Sequence, residues 1–348
     1  MTDASLPVVA LTLGDPAGIG PELIARVLAR PDACAQANLV LVGDPWLWQA
    51  GQRTAGVTVA TEAIAGLAQA RGRRDTGRPA FVALDTVAQA DVHVGRAEAA
   101  GGRSVLQVLD LCMDAALAGS IDAICFAPLN KFAMKQGGLR FEDELHHFAE
   151  YLGVTGYFCE FNTLGDLWTS RISSHVPLAD VTRHLTQPRI EQAATLIYRA
   201  LRANGVAAPR IAIAALNPHG GDGGTCGREE IEIIGPAVAA LQARAWDSAA
   251  PFAGPFPADT VFLKAQAGEF DAVVTMYHDQ GQIAIKLLGF SRGVTVQGGL
   301  PIPITTPAHG TAYDIAGQGR ANPEATWQAL RIAARMGAAQ RRAAAPAA

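Results

Sequence analysis

The feature of this 348-residue sequence that most constrains its fold is a repeated alternation of apolar runs with helical patterns. Short apolar runs typical of buried strands occur at residues 8–13, 39–42, 123–127, 211–216 and 272–276. Longer helix-like runs occur at residues 21–28, 104–118, 188–204, 229–244 and 323–336. This alternation predicts an α/β fold with a parallel sheet covered by helices. Ligands bind such sheets at the carboxyl ends of the strands, so a functional site is expected in the loops there.

Composition and charge exclude several classes of function. The chain is 49% apolar and 17% charged, which suits a compact α/β protein and not a disordered one. A net charge of −4 does not favour a nucleic-acid partner. The sequence shows neither an apolar run long enough to span a membrane nor a secretory leader. A cytoplasmic protein without a membrane partner is therefore expected.

Three loops that follow predicted strands each carry a histidine. These are His175 in S-S-H-V-P, His219 in L-N-P-H-G-G-D-G-G and His278 in M-Y-H-D-Q-G. A lone loop histidine is ordinarily a surface or packing residue, but three at corresponding strand ends favour a shared metal site. Imidazoles that leave coordination positions open suit zinc or a similar divalent ion in catalysis.

Charged residues lie close to these histidines in sequence. Asp279 directly follows His278, and Asp259 lies in G-P-F-P-A-D-T. Either carboxylate could orient a histidine or act as an acid or base, although Asp259 could instead cap the following helix. Lys131, Lys286 and Arg292 suggest an anionic substrate, although solvated surface charge would explain each of them equally well.

Two glycine-containing loops are candidates for cofactor binding. The first, L-T-L-G-D-P-A-G-I-G-P-E at residues 11–22, matches neither of the common phosphate-binding glycine motifs. The second, H-G-T-A-Y-D-I-A-G at residues 309–317, contains Asp314, which could accept hydrogen bonds from a ribose diol. A plain loop before the last helix would have a similar composition.

Together these stretches resemble the 4-hydroxythreonine-4-phosphate dehydrogenases of vitamin B6 synthesis, the PdxA family, and their paralogues. The resemblance is carried, in order, by A-P-L-N-K, S-H-V-P-L, L-N-P-H-G-G-D-G-G, G-P-F-P-A-D-T, M-Y-H-D-Q-G and H-G-T-A-Y-D-I-A-G. The two glycine-containing loops, at residues 11–22 and 309–317, also resemble loops of isopropylmalate and isocitrate dehydrogenases. The implied fold has two α/β domains with an active-site cleft between them. Residues 1–130 with 298–340 would form the first domain and 131–297 the second, followed by a frayed tail at 341–348.

The resemblance also implies roles for individual residues. His175, His219 and His278 would bind the metal, in a site shared by the two chains of a homodimer. Asp259 and Asp279 would lie beside the reaction centre as catalytic residues, and the substrate would contact Lys286. From its place after a predicted strand, Lys131 is also expected to be catalytic, and Arg292 is expected to bind the substrate. Gly14 and Asp15 would line the nicotinamide end of the cofactor, while its adenosine half would bind at His309, Gly310, Thr311 and Asp314. An acidic residue at position 314 favours NAD over NADP.

The implied reaction is a metal-assisted oxidation. A divalent ion (Zn, Mn, Co or Mg) would chelate the hydroxyl of a hydroxy-acid substrate, and hydride would pass to NAD. The ketone that forms lies β to a carboxylate, so decarboxylation is expected to follow.

The sequence departs from the family where the substrate is recognised. Glu144 and Leu145 replace a His-Thr pair, Thr295 replaces an asparagine and Ile304 replaces an arginine. A carboxylate and two apolar side chains are poor ligands for a phosphate dianion.

These departures leave the substrate open. It is 4-hydroxythreonine 4-phosphate or 4-phospho-threonate, or a non-phosphorylated hydroxy acid or cis-dihydrodiol as in terephthalate breakdown, with Arg171 and Arg292 holding a carboxylate. The residues alone are also compatible with a non-catalytic metal- or nucleotide-binding protein, or with a hydrolase that uses the three histidines.

Overall fold

The computed structural model describes residues 6–71, 73, 77–289 and 291–344. The chain divides into two compact units, one of residues 1–155 and 300–348 and one of residues 156–299. Both are layers of strands and helices, so the predicted α/β class is confirmed. None of the described helices is long and apolar enough to cross a membrane.

The first unit is built on a six-stranded parallel sheet in the order β3-β4-β2-β1-β5-β12. Its strands are β1 (Val8–Thr12), β2 (Asn38–Gly43), β3 (Glu62–Ala63), β4 (Ala80–Ala83), β5 (Ala123–Phe126) and β12 (Ile304–Pro307). Its helices are α1 (Gly20–Leu28), α2 (Pro45–Ala55), α3 (Ala99–Leu117), α4 (Lys131–Gly137), α5 (Glu144–Tyr151) and α11 (Glu324–Ala344). Every residue of β1 is buried, as expected for a central strand covered on both faces.

Close helix packing places α4 and α5 in the first unit. Gly102 on α3 leaves no room for a side chain against the carbonyl of Ala133 on α4. The rings of Phe126 on β5 and Phe148 on α5 pack edge to face, with centroids 5.8 Å apart. The chain therefore passes from the first unit to the second near residue 155. The family resemblance implied that it does so at residue 130.

The second unit has the strand order β11-β6-β7-β10-β8-β9. Its strands are β6 (Cys159–Leu164), β7 (Leu167–Arg171), β8 (Ile211–Ala214), β9 (Phe252–Phe256), β10 (Ala272–Thr275) and β11 (Gly293–Gly298). Its helices are α6 (Val181–His184), α7 (Gln187–Ala203), α8 (Gly235–Gln242), preceded by one π-helical turn (Glu230–Ile234), α9 (Ala258–Gln266) and α10 (His278–Gly289).

Strand direction in this unit sets where functional loops gather. Strand β6 is antiparallel to both neighbours, and the other pairs are parallel. Strands β7 to β11 therefore share one direction, and their carboxyl ends meet at one edge of the sheet. That edge is where the chemistry of an open α/β sheet is expected.

The last helix is longer than the sequence suggested. Helix α11 continues to Ala344, so the first four residues of the predicted frayed tail are helical. Within that segment, Arg341 donates a hydrogen bond to the carbonyl of Leu6 at 3.0 Å. Residues 345–348 of the predicted tail lie outside the described residues.

Candidate active site

The three predicted metal histidines all follow strands of the second unit at the same sheet edge. His175 lies in the loop after β7, His219 in the loop after β8, and His278 is the first residue of α10, after β10. The centroids of the His175 and His278 rings are 6.0 Å apart. This separation is compatible with two imidazoles that coordinate one ion through metal–nitrogen bonds of about 2.0–2.1 Å.

The third histidine is not brought into the same cluster within one chain. Across the described residues of a single chain, the nitrogens of His175, His219 and His278 do not all lie within 4.8 Å of one another. One chain therefore supplies a pair of nearby imidazoles, and the third belongs to a neighbouring loop of the same edge.

Backbone conformation marks two of these histidines as unusual. His175 and His219 have φ values of 48° and 54°, and Asp222 in the same loop has a φ of 44°. A left-handed conformation costs a residue with a Cβ about 1–2 kcal/mol. Strain of this kind persists where the surrounding structure fixes it, and it clusters at functional sites.

A buried carboxylate holds the loop that carries His219. One oxygen of Glu230, Oε1, accepts hydrogen bonds from the backbone N–H groups of Leu216 and Asn217, each at 2.8 Å. The Asn217 amide donates to Oε2 of Glu230 at 2.9 Å. Burial alone would raise the pKa of Glu230, but these hydrogen bonds outweigh it and lower that pKa. The charged form of Glu230 thus fixes the start of the loop.

Two further side chains join the histidine loops to each other. Ser173 donates a hydrogen bond to the carbonyl of Met276, which connects the end of β7 to that of β10. Gln280 accepts a bond from the N–H of Met276 at 2.8 Å and donates to the carbonyl of Ala215 at 3.0 Å. The ends of β7, β10 and β8 are therefore cross-linked by side chains.

A buried polar network lies beside His175. The Arg171 guanidinium donates to Glu160 and to Asn162, both at 2.7 Å, and to the hydroxyl of Ser174 at 2.5 Å. Arg171 is only 5% exposed. Because protein groups already occupy its guanidinium, Arg171 is a support for the His175 loop, and the carboxylate clamp predicted for it is not supported.

Helix α10 carries three of the predicted residues. Its first residue, His278, bonds through Nδ1 to the Asp279 carboxylate at 2.7 Å. A hydrogen bond donated by Nδ1 to this carboxylate would leave Nε2 for a metal. Two turns on, Lys286 is exposed.

The remaining carboxylate at this edge, Asp259, is exposed in the first turn of α9. The N-cap of α9 is Pro257, and no side chain caps this helix, so Asp259 is not its N-cap. An exposed carboxylate after β9 is available for proton transfer.

Lys131 lies in the first unit, at the start of α4. Its ammonium is 3.7 Å from a carboxylate oxygen of Glu144 and 4.0 Å from one of Asp143. Burial alone would raise the pKa of Asp143, but hydrogen bonds from His146 and the charge of Lys131 hold it below its usual value. Leu145 is buried beside them on α5. Lys131 thus compensates the negative charge of Asp143 and Glu144.

Two other recognition positions, Thr295 and Ile304, are buried. The hydroxyl of Thr295 accepts a hydrogen bond from the Asn162 amide at 3.2 Å. Ile304 has no exposed surface and belongs to the hydrophobic core of the first unit with Ile124 and Phe126. Arg292 is exposed just before β11.

The two predicted cofactor loops of the first unit are brought together. The N–H of Ile19 donates to the carbonyl of Thr311 at 3.1 Å, and the hydroxyl of Tyr313 donates to Asp15 at 2.8 Å. Gly14, at a φ of 71°, has no room for a side chain against the carbonyls of Ala127 and Pro128. Chain packing therefore requires glycine at position 14.

Charge in these loops is arranged as follows. Burial raises the pKa of Asp15, against the opposing effect of hydrogen bonds from Tyr313 and the N–H of Ala17. Burial lowers the pKa of His309, so its ring is neutral near pH 7. Asp314 is exposed, with its carboxylate available to a ligand, and Ala312 before it has a left-handed φ of 43°. Gly310 has open space around it.

The structure is a two-unit α/β fold in which histidines gather at one strand edge of the second unit. The family model for "Pyridoxal phosphate biosynthetic protein PdxA" matches residues 35–333. The chain belongs to the PdxA family.

Individual relatives give the same result. The chain is 54% identical, over 97% of its length and 99% of the relative's, to a Pseudomonas aeruginosa protein named "Putative 4-hydroxythreonine-4-phosphate dehydrogenase 2". The crystal structure of the 4-hydroxythreonine-4-phosphate dehydrogenase of Klebsiella pneumoniae is 34% identical, covers 97% of this chain and 99% of its own, and superposes with a TM-score of 0.81. A terephthalate 1,2-cis-dihydrodiol dehydrogenase from Burkholderia xenovorans is 27% identical, with 94% and 98% coverage and a TM-score of 0.67.

Sequence reasoning missed the residues that hold the site. Glu230 and Glu160 lie in stretches without a recognisable motif, and each acts on a residue distant in sequence. Gln280 lies within the motif M-Y-H-D-Q-G, but its bond to Ala215 is formed only in the fold. Ser173 and Gln280, each two residues from a motif histidine, offered a local signal.

Proposed function

We propose that this protein is an NAD- and divalent-metal-dependent dehydrogenase. It oxidises a secondary alcohol β to a carboxylate and decarboxylates the resulting β-keto acid, as in the 4-hydroxythreonine-4-phosphate and 4-phospho-threonate types. The observation that carries this proposal is the sheet edge with its histidines, two of which are held in left-handed conformations. Nothing in core packing requires imidazoles there.

The donor set fits a divalent ion. Neutral imidazoles favour Zn²⁺, Co²⁺ or Mn²⁺ over Mg²⁺, and Asp279 orients the ring of His278 for coordination. When bound, such an ion lowers the pKa of the substrate hydroxyl and stabilises negative charge on its oxygen. In this proposal the exposed carboxylate of Asp259 or Asp279 accepts the proton.

The cofactor site is proposed for the first unit. The joined loops at residues 14–22 and 309–317 present backbone groups and the exposed Asp314 carboxylate. Asp314 accepts hydrogen bonds from the ribose hydroxyls of NAD and repels the 2′-phosphate of NADP.

We also propose a homodimer that completes the metal site. On α10, Ile283 and Leu287 are 58% and 83% exposed and lie one turn apart, beside Lys286. An apolar stripe on the helix that begins with His278 favours a protein partner. Because the ligand atoms of His175, His219 and His278 in one chain do not all lie within 4.8 Å of one another, the same partner would complete the ligand set.

A glutamate on the exposed face of α10 tests the dimer. I283E with L287E is expected to dissociate the protein in analytical ultracentrifugation and to abolish activity, while L117E on α3, which replaces another exposed leucine, leaves both unchanged. A double variant that stays dimeric and active would contradict this interface.

A second substrate class is favoured by the recognition residues. Ile304 is enclosed in the core, Glu144 is acidic and Thr295 is bonded to Asn162, so these positions do not offer a phosphate its usual donors. The second class is a non-phosphorylated hydroxy acid or cis-dihydrodiol, for which Arg292 is the available carboxylate partner.

NADH absorbance tests the reaction directly. The assay uses 4-hydroxythreonine 4-phosphate, 4-phospho-D-threonate and their non-phosphorylated counterparts, each with Zn²⁺, Mn²⁺ or Mg²⁺. Metal-dependent NADH formation with one of them is expected, together with carbon dioxide release. Failure of NAD to bind in calorimetry with metal present would contradict the proposal and favour a hydrolase.

A further inference from the structure

One buried side chain at the histidine edge has no hydrogen-bond partner. Gln297 on β11 is 3% exposed, and neither its Oε1 nor its Nε2 is bonded to any protein group. A carboxamide offers two donors and one acceptor, and an unpaired buried amide is costly. Its burial without partners indicates a ligand group that is absent from the chain itself.

Gln297 lies at the same edge as the predicted metal histidines. It is the penultimate residue of β11, which runs in the same direction as β7, β8 and β10. Its register partner across the strand pair is Glu160. The Glu160 carboxylate binds Arg171, and Arg171 binds Ser174, next to His175.

The face of β11 that carries Gln297 is polar throughout. Side chains alternate along a strand, so Thr295 and Gln297 share one face, opposite Asn162 and Glu160 of β6. Thr295, Asn162 and Glu160 all have partners within the unit. Gln297 is thus the one unsatisfied member of this face in the described part of the second unit.

We propose that Gln297 is a specificity-determining residue that pairs with a hydroxyl of the substrate and selects it over a phosphate at the same position. This inference rests on the proposed dehydrogenase function. A hydroxyl donates and accepts, so it satisfies both the carbonyl and the amine of the carboxamide. A phosphate monoester near pH 7 offers acceptors, which leaves the carbonyl of Gln297 facing like charge.

The probes are 4-hydroxythreonine and its 4-phosphate, which differ only in that group. Calorimetry with Zn²⁺ present gives the dissociation constant of each, and NADH absorbance gives kcat/KM. In Q297L the dissociation constant for 4-hydroxythreonine is expected to rise about ten- to hundredfold, while that for the phosphate changes less than about threefold. Equal changes for both compounds, or none, would overturn the proposal.

Two more variants guard against a folding artefact. Q297E is nearly isosteric, keeps an acceptor for the hydroxyl and repels phosphate, so its preference for 4-hydroxythreonine is expected to exceed that of the wild type. T326V on α11 removes another buried and unpartnered polar group and is expected to change neither dissociation constant. If T326V weakened 4-hydroxythreonine binding as much as Q297L, the effect would be one of stability and the proposal would fail.

The two readouts separate this proposal from the reaction itself. Hydroxyl-selective binding that depends on Gln297, without NADH formation, would reject the dehydrogenase reaction and retain the role of Gln297. NADH formation by a Q297L variant whose selectivity is unaltered would retain the dehydrogenase reaction and reject the role of Gln297.

Discussion

The two loop regions expected to carry the chemistry are held in different ways. In the first unit, the cofactor loops meet through backbone groups, such as the N–H of Ile19 on the carbonyl of Thr311, with glycines that permit close approach. In the second unit, the histidine loops are held by the side chains of Glu230, Gln280 and Ser173. Away from its glycines, the first region should therefore tolerate side-chain substitution better than the second.

The largest expected effect is at a metal histidine. H219A removes an imidazole ligand, and activity is expected to fall about 10³-fold or more, because metal stabilisation of the transition state contributes several kcal/mol. Metal content by mass spectrometry should fall with it. H93A, at an exposed histidine of the first unit, is the matched control. Unchanged activity in folded H219A would favour a non-catalytic role.

Glu230 tests whether side chains really position the histidine loop. E230Q replaces an acceptor of backbone and amide N–H groups with a group that presents its own donors. We expect activity to fall about ten- to hundredfold, since buried groups left unpaired cost about 1–3 kcal/mol. E232Q, on the same turn but exposed, is the control. Equal behaviour of the two variants would remove the proposed positioning role.

Titration should separate the two regions further. The lowered pKa of Glu230 means that its stabilising effect is present above its unfolded pKa of about 4.3 and is lost as the pH falls through the folded value. The raised pKa of Asp15 has the opposite sign, so its contribution is present below about 3.9 and lost as the pH rises. Denaturant unfolding between about pH 3 and pH 7 should therefore show a shallower acid loss in E230Q and a steeper one in D15N. Identical profiles would contradict both assignments.

The preference for NAD is expected to depend on one exposed carboxylate. D314A should lower the ratio of kcat/KM for NAD to that for NADP by about tenfold, because ribose hydrogen bonds are lost and repulsion of the 2′-phosphate is removed. D91N, at an exposed carboxylate of the first unit, is the control. A ratio that does not move in D314A would place the adenosine ribose elsewhere.

The smallest effect is expected at Tyr313, the side-chain link between the cofactor loops. Y313F loses the hydrogen bond to Asp15, and the free energy of unfolding should fall by about 1 kcal/mol. The loops should stay joined, since backbone bonds remain. If Y313F lowered the free energy of unfolding as much as E230Q does, the two regions would not differ in how they are held.

This contrast also explains how far the sequence could be interpreted. The alternation of strands and helices predicted the α/β class. The position of each histidine just after a strand predicted that they share one sheet edge. Both predictions depend on patterns that are local in the sequence. Glycine motifs such as the loop around Gly14 were visible since close packing demands that residue type.

The supports of the site could not be predicted. Glu230 acts on residues 13 and 14 positions away, and Gln280 on one 65 positions away, so no spacing reveals them. The residue at which the chain leaves the first unit depends on the close packing of Gly102 against α4, which exists only in the folded structure. The unpartnered state of Gln297 likewise exists only in the fold.

The central claim is that histidines at this sheet edge hold a metal for NAD-dependent oxidation. The direct measurement is NADH formation by protein dialysed against a chelator and then supplied with Zn²⁺ or Mn²⁺, with H219A in parallel. We predict that chelation abolishes NADH formation, that metal restores it in the wild type, and that H219A is not restored. NADH formation at an undiminished rate after chelation would contradict the account.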